Sequence, residues 1–273
     1  MEKFFSVDGD TITVRHNSGF FSNCSVSLHA IVTLSNRTGR FPEHVDFSQT
    51  FREFKDPEDL EADVYPAYFA AQNQPRTRPP EGGAVNFPLY SLFDYREQSY
   101  TAIEPFMQRY FRPSQAVLHK ALILQEKYGV NPDRLVTVCY RGTDKHLDAT
   151  PGSFETYIDE TRRRLEQDPM LDVLVQTDQQ QFLDFARAEL GSVLVIDDLP
   201  RTTSGTVMHR IVSDGKVDWA QTFLAVTWLI AQSRHLITHT GNVGRWLCLY
   251  RGHMDRVSQY FHPKGAETGG WIR

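Results

Sequence analysis

Between residues 135 and 251, short apolar runs alternate with longer segments of helical periodicity, and no other feature of the chain narrows its fold as far. Leu135–Tyr140, Leu171–Gln176, Val193–Ile196 and His235–Thr238 are rich in β-branched and apolar residues and read as strands. Ser153–Gln167, Gln179–Leu190, Trp219–Gln232 and Val243–Arg251 carry helical spacing. Alternation at these lengths implies an α/β fold with a parallel sheet and Rossmann-like winding. Ligands of such sheets bind in the crevice beyond the carboxyl ends of the strands.

Each run hands over to polar residues at that end: Arg141 to Lys145, Thr177-Asp178, Asp197-Asp198 through Ser204-Gly205, and His239 to Asn242. A guanidinium fixed at position 141 can grip phosphate oxygens through two parallel hydrogen bonds. Thr240-Gly241-Asn242 opens a helix, where backbone N–H groups and the positive dipole end favour an anion. Asp178, followed by Gln181, reads as the N-cap of its helix in a capping-box arrangement, and as a site residue by its place at a strand end. No G-x-G-x-x-G follows the first strand and no Walker lysine motif occurs, so neither a dinucleotide cofactor nor a P-loop is expected.

The first half is less regular. Asp8-Gly9 between two apolar runs signals a hairpin. Asp8-Gly9-Asp10 also matches a loose metal-holding D-x-D pattern, but turn chemistry accounts for all three residues. His16 to Asn23 is a Gly/Ser/Asn turn feeding a helix; Ser22 and Asn23 there serve either an N-cap or a contact with a phosphate or sugar across a cleft. Gln72–Gly83, with Arg76 and Arg78, reads as a surface loop. Ser114 caps a helix that ends at Gly129, and Asn131-Pro132 marks the expected boundary between residues 1–128 and 129–273.

Composition excludes several classes. A net charge of −5 offers no basic face for nucleic acid. Three scattered cysteines argue against a disulfide framework or zinc site, and for a reducing compartment. The longest apolar stretch, Trp219–Ala231, falls short of the roughly 20 residues that span a bilayer, and no signal-peptide pattern opens the chain. A cytoplasmic protein is expected.

Five segments carry a resemblance: SGFFSNCSVSLHAIV (Ser18–Val32), CYRGTDK (Cys139–Lys145), VLVQTDQQQFL (Val173–Leu183), SGTVMHR (Ser204–Arg210) and LITHTGNVGRW (Leu236–Trp246). In order and spacing they resemble the motifs of the GDP-fucose-using glycosyltransferases, whose H-x-R-x-T-D-K stretch is matched by Cys139–Lys145. That superfamily includes core α1,6-fucosyltransferases, rhizobial nodulation fucosyltransferases and, more distantly, protein O-fucosyltransferases. The resemblance implies a GT-B arrangement of two Rossmann-like domains facing across a cleft, residues 1–128 on the acceptor side and 129–273 binding the nucleotide sugar. It implies an inverting transfer to a glycan or other hydroxyl acceptor, with no metal and no cofactor beyond the GDP-sugar donor.

Carried onto this chain, Arg141 would bind the donor's β-phosphate, joined by backbone groups of Thr240, Gly241 and Asn242. Ser22 and Asn23 would approach from the opposite domain; Lys145 reads equally as a phosphate contact or a solvated surface lysine, Asp178 as a cap first and a donor-site residue second, and His209 as a donor contact by the family match. For His209 a purely structural place is an equal alternative. Asp148 ranks first as the base for the acceptor proton, ahead of Asp144, for which an ion pair with Arg141 is the simpler role. Two positions depart from the family pattern: Cys139 stands where the family has histidine, and Val226 where it has aspartate. Both family residues help recognise guanosine, so another nucleoside-diphosphate sugar is a rival donor. A catalytically silent nucleotide-sugar-binding protein is the rival of a different class.

Overall fold

The computed structural model describes residues 3–72, 79–80, 83–143, 151–203, 211–263 and 266–273. Arg76, Arg78, Asp144, Lys145, His146, Asp148 and the Ser204–Arg210 segment with His209 lie outside the described residues.

The chain opens with the hairpin of β1 (Phe5–Asp8) and β2 (Thr11–Val14), where Gly9 takes φ +56°. Such tight turns need left-handed backbone, and glycine adopts it without a β-carbon clash. After α1 (Phe20–Thr38), β3 (His44–Asp46) pairs parallel to β2. The helices α2 (Tyr65–Tyr68), α3 (Tyr100–Tyr110) and α4 (Gln115–Lys127) follow. Ser114 caps α4 by accepting from the Val117 amide at 3.3 Å.

The second half alternates: β4 (Leu135–Tyr140), α5 (Phe154–Gln167), β5 (Asp172–Thr177), α6 (Gln180–Leu190), α7 (Lys216–Ala231), β6 (His235–His239), α8 (Asn242–Arg251), β7 (Val257–Phe261) and β8 (Gly270–Ile272). The sheet order is β5-β4-β6-β7-β8, with β8 antiparallel on its edge and every other pair parallel. The mixed α/β architecture with parallel strands follows the alternation in the sequence.

Two elements differ from the sequence pattern. Val193–Ile196 is not a ladder strand; Leu194 alone bridges to Leu174, through bonds of 2.7 and 2.9 Å with Val173 and Val175, before the chain turns at Asp197-Asp198. Asp178 is not the N-cap of α6. Gln179 occupies that position without a side-chain cap, because the Asp178 carboxylate is drawn across the sheet to the end of β4.

Alternation along β4 decides what its end faces. Val136, Val138 and Tyr140 pack with α5 and α6, whereas Leu135 and Cys139 join the opposite core layer with α7 and α8. That layer continues into the first half without a break. Phe20 and Phe21, the first two residues of α1, both pack against Phe223 of α7, and Phe21 stacks on Trp246 of α8 with centroids 5.4 Å apart. Burying a phenylalanine side chain is worth roughly 1.5–3 kcal/mol, so these rings fix where α1 begins. It begins beside the carboxyl ends of the parallel strands.

Candidate functional site

The strand order reverses between β4 and β6: from β4 the chain goes to β5 on one side and later enters β6 on the other. Open α/β sheets bind ligands at that reversal. A cavity of about 750 Å³ lies there, lined from the second half by Cys139–Arg141, Gln176–Asp178, His239, Asn242 and Val243, and from the first by His16–Ser22 and Leu89–Leu92. Cavities of this volume hold nucleotide-sized ligands.

Arg141 follows β4 and its side chain is partly open to the cavity. Its Nε donates to Asp178 Oδ2 at 3.2 Å. The same carboxylate accepts from the Thr143 hydroxyl at 2.7 Å and from the Gly142 amide at 3.3 Å. Asp178 therefore orients the guanidinium and shapes the turn that follows it. A β-carbon at Gly142 would meet Gln179 Oε1 at 1.9 Å and the Tyr140 ring at 2.7 Å, so a larger residue here would have to push both side chains aside.

Helix α8 starts on the other side of the reversal. A β-carbon at Gly244 would lie 2.0 Å from the His239 carbonyl oxygen, so glycine is what allows α8 to spring directly from β6. The expected trio at its start divides. The Thr240 amide and hydroxyl both donate to the Tyr260 carbonyl, at 2.9 and 2.8 Å, and the Gly241 amide donates to the Tyr95 hydroxyl at 2.6 Å. Those donors are spent on β7 and on the 85–98 segment, and neither residue lines the cavity. Asn242 and Val243 do line it, and amides in a helix's first turn have no intrahelical acceptor.

Across the cavity, α1 presents its own start. Gly19 is its N-cap with no side-chain cap, and Gly19 to Ser22 line the wall. Ser22 faces the cavity and is hydrogen-bonded to His16 Nε2 at 2.9 Å. Asn23 does not: it is fully buried, accepting from the Ser18 amide at 2.9 Å and donating to the Ser18 carbonyl at 3.2 Å, which braces the turn. Ser25 ties the two helix starts together, donating to Asn242 Oδ1 at 3.1 Å and accepting from Trp246 Nε1 at 2.9 Å.

Three residues missed in the sequence also line this cavity. Burial lowers the His16 imidazole from its ordinary value, which favours its neutral form. Glu53 brings a carboxylate to the first-half side. Gln176 Oε1 is buried with no hydrogen-bond partner among the described residues, an acceptor available to a ligand N–H. His16 sits in a turn segment whose sequence reads as loop chemistry alone, and Glu53 and Gln176 carry no local signal.

The two positions that depart from the family pattern, Cys139 and Val226, both line the cavity. Burial, partly opposed by the Arg141 charge, pushes the Cys139 thiol up to about 12, so it stays protonated and acts as an apolar group rather than a nucleophile. A guanidinium and two helix starts converging on one cavity suit an anion of the phosphate class.

No protein-family model matches the chain, and no curated protein matches it. Solved structures do. A NodZ α-1,6-fucosyltransferase soaked with GDP-fucose superposes with TM-score 0.55 at 14% identity, over 95% of this chain and 97% of that one. The fucosyltransferase NodZ from Bradyrhizobium gives 0.56 at 15% identity with the same coverage, and its selenomethionine form 0.54 at 13%, over 97% and 99%. No helix among the described residues is long and apolar enough to cross a membrane. The chain has the mixed α/β fold of these GT-B fucosyltransferases.

Proposed function

We propose that the protein is an inverting, metal-independent glycosyltransferase that moves a sugar, fucose from GDP-fucose, to a hydroxyl of a glycan or similar acceptor. One observation carries this reading: Arg141 and the starts of α1 and α8 open on a single cavity at the sheet's reversal. The likeness to a fucosyltransferase solved with GDP-fucose supports it.

Breaking the sugar–phosphate bond leaves the bonding electron pair on the departing diphosphate and positive charge on the sugar ring. Preorganised donors aimed at the developing anion lower such barriers without a metal. Arg141 supplies the charged fork and the Asn242 and Val243 amides the second set of donors. The acceptor oxygen attacks the opposite face of the anomeric carbon, which inverts it, and its proton passes to a base. Asp148 is the first candidate and Asp144 the second; His16 and Glu53 stand on the first-half wall of the cavity, the side assigned to the acceptor.

Binding of GDP, UDP and dTDP, with EDTA present, tests the donor. A ligand at 100 times its Kd adds about 2.7 kcal/mol to stability, a rise of roughly 5 °C in Tm for a chain of this size. GDP is expected to give the largest rise, and GDP-fucose alone is expected to release GDP slowly. A silent binder would show the rise without release. The second reading, another nucleoside-diphosphate sugar, is favoured by the apolar Cys139 and Val226 on the wall, and a larger rise with UDP or dTDP would establish it.

Asp178→Asn tests the orientation of Arg141. The single amide oxygen, at the Oδ2 position, still accepts from Thr143, and only the longer 3.3 Å bond from the Gly142 amide to Oδ1 is given up, so the fold is expected to survive with a small fall in Tm. The guanidinium loses its charged anchor, and small misplacements of a positioning group cost up to about 10²-fold in rate. Initial rates of GDP release should fall roughly tenfold or more; unchanged rates would show that Asp178 does not position Arg141.

A further inference from the structure

The segment Val85–Gln98 is clamped to the second half on both of its arms, and its four-residue tip has no share in the clamp. Arg245 of α8 lies buried beneath it without a carboxylate partner among the described residues; its guanidinium donates to the Pro88 carbonyl at 2.8 Å and to Gln98 Oε1 at 3.1 Å. Phe87 packs on the guanidinium face at 3.6 Å and Phe93 at 5.0 Å. Gln259 of β7 donates to the Phe93 carbonyl at 2.8 Å and accepts from the Tyr95 amide at 2.9 Å. Burying a guanidinium is costly; here burial pushes Arg245 down to about 10.

Between Pro88 and Phe93, Leu89–Leu92 line the cavity. Tyr90 is 73% exposed and Leu92 46%, which makes Tyr90 the most exposed large apolar side chain among the described residues. A lone exposed apolar residue is ordinary on protein surfaces. Tyr90 differs in its setting: an aromatic face on the rim of the cavity, on a tip whose arms are immobilised by buried polar contacts. Rigid presentation of an aromatic removes ordering cost from binding.

We propose that Tyr90 is the stacking platform for the acceptor, and that the acceptor is a carbohydrate whose pyranose ring lays its C–H face on the phenol. This rests on the glycosyltransferase reading, because the platform adjoins the cavity in which the transfer takes place. An aromatic ring takes up the apolar face of a sugar and leaves the equatorial hydroxyls free to reach the cavity. A peptide acceptor offers such a face only through proline, whereas every pyranose carries one.

The test uses the full chain with saturated GDP and saturation-transfer NMR against tetrasaccharides of glucose, mannose, galactose and N-acetylglucosamine. Wild type and Tyr90→Phe are expected to bind at least one of them, with transfer to ring C–H protons, and Tyr90→Ala to bind it five- to tenfold more weakly. An added aromatic contact is worth about that factor. GDP affinity is measured in all three proteins as well, because Tyr90 and Arg141 line the same cavity and a loss of donor binding must be told apart from a loss of sugar binding. Equal sugar binding by Tyr90→Ala, or GDP binding by wild type with no sugar bound, overturns the platform, and the second result points to a non-carbohydrate acceptor. Tyr90-dependent sugar binding without GDP binding keeps the platform and sinks the donor reading; loss of both removes both.

Discussion

Arg141→Ala is expected to lower turnover by roughly 10²–10³, the range for losing one preorganised donor to a developing anion. The residue stands one position beyond β4, a strand buried along its whole length, which anchors the start of the turn that carries it. Its Nε is turned to Asp178, which fixes the plane of the guanidinium at the cavity wall. Arg141→Lys is expected to recover little, since an ammonium is a point charge and cannot give two parallel bonds to a phosphate. Single-turnover measurement of GDP release, with and without acceptor, reads the effect directly. Tm should stay close to that of the wild type because the side chain is partly exposed and its carboxylate partner keeps Thr143 and Gly142. Near-normal turnover in a folded Arg141→Ala would remove the residue from the mechanism and with it the reading of the cavity as a diphosphate site.

What was legible in the sequence follows from how local each cause is. Leu135–Tyr140 is an unbroken apolar run because both its faces are covered, and its strand appears at those same residues. Asp178 shows the opposite case. Its spacing to Gln181 satisfies a local capping rule, yet the carboxylate answers to Arg141, 37 residues earlier in the chain. The strand Val257–Phe261 lacks an apolar run because Ser258 and Gln259 are buried polar residues, and their partners lie far off: Glu160 and Arg164 for one, Phe93 and Tyr95 for the other. The start of α8 reads as three equivalent donors, but only the fold reveals that Tyr260 and Tyr95 claim the first two. Tyr90 has no periodic neighbours at all; its meaning comes from Arg245, 155 positions later, which holds the arm beside it.

Glu160→Ala should destabilise the protein by about 3–5 kcal/mol, the usual cost of removing one partner from a buried ion pair. Glu160 is buried on α5, where it accepts from Arg163 at 2.6 and 2.9 Å, from Arg273 at 2.8 and 3.2 Å, and from the Ser258 hydroxyl of β7. Arg164 adds a contact of 3.3 Å, and itself donates to Ser258 at 2.6 Å. Removing the carboxylate leaves these guanidinium groups facing one another at the edge where β8 is added to the sheet. The pH dependence has a definite sign. Burial acts to raise the Glu160 carboxyl, but the hydrogen bonds from Arg163, Arg273 and Ser258 outweigh it and pull the group down to about 2. A carboxyl whose pKa is depressed by folding stabilises the native state above its unfolded pKa, about 4.3. That contribution fades as pH falls from there toward 2. Urea titrations from pH 7 down to pH 3 should therefore show the gap between wild type and Glu160→Ala narrowing with acid. A gap that is constant with pH would mean that the carboxylate's charge is immaterial, and that packing alone holds α5 to the edge of the sheet.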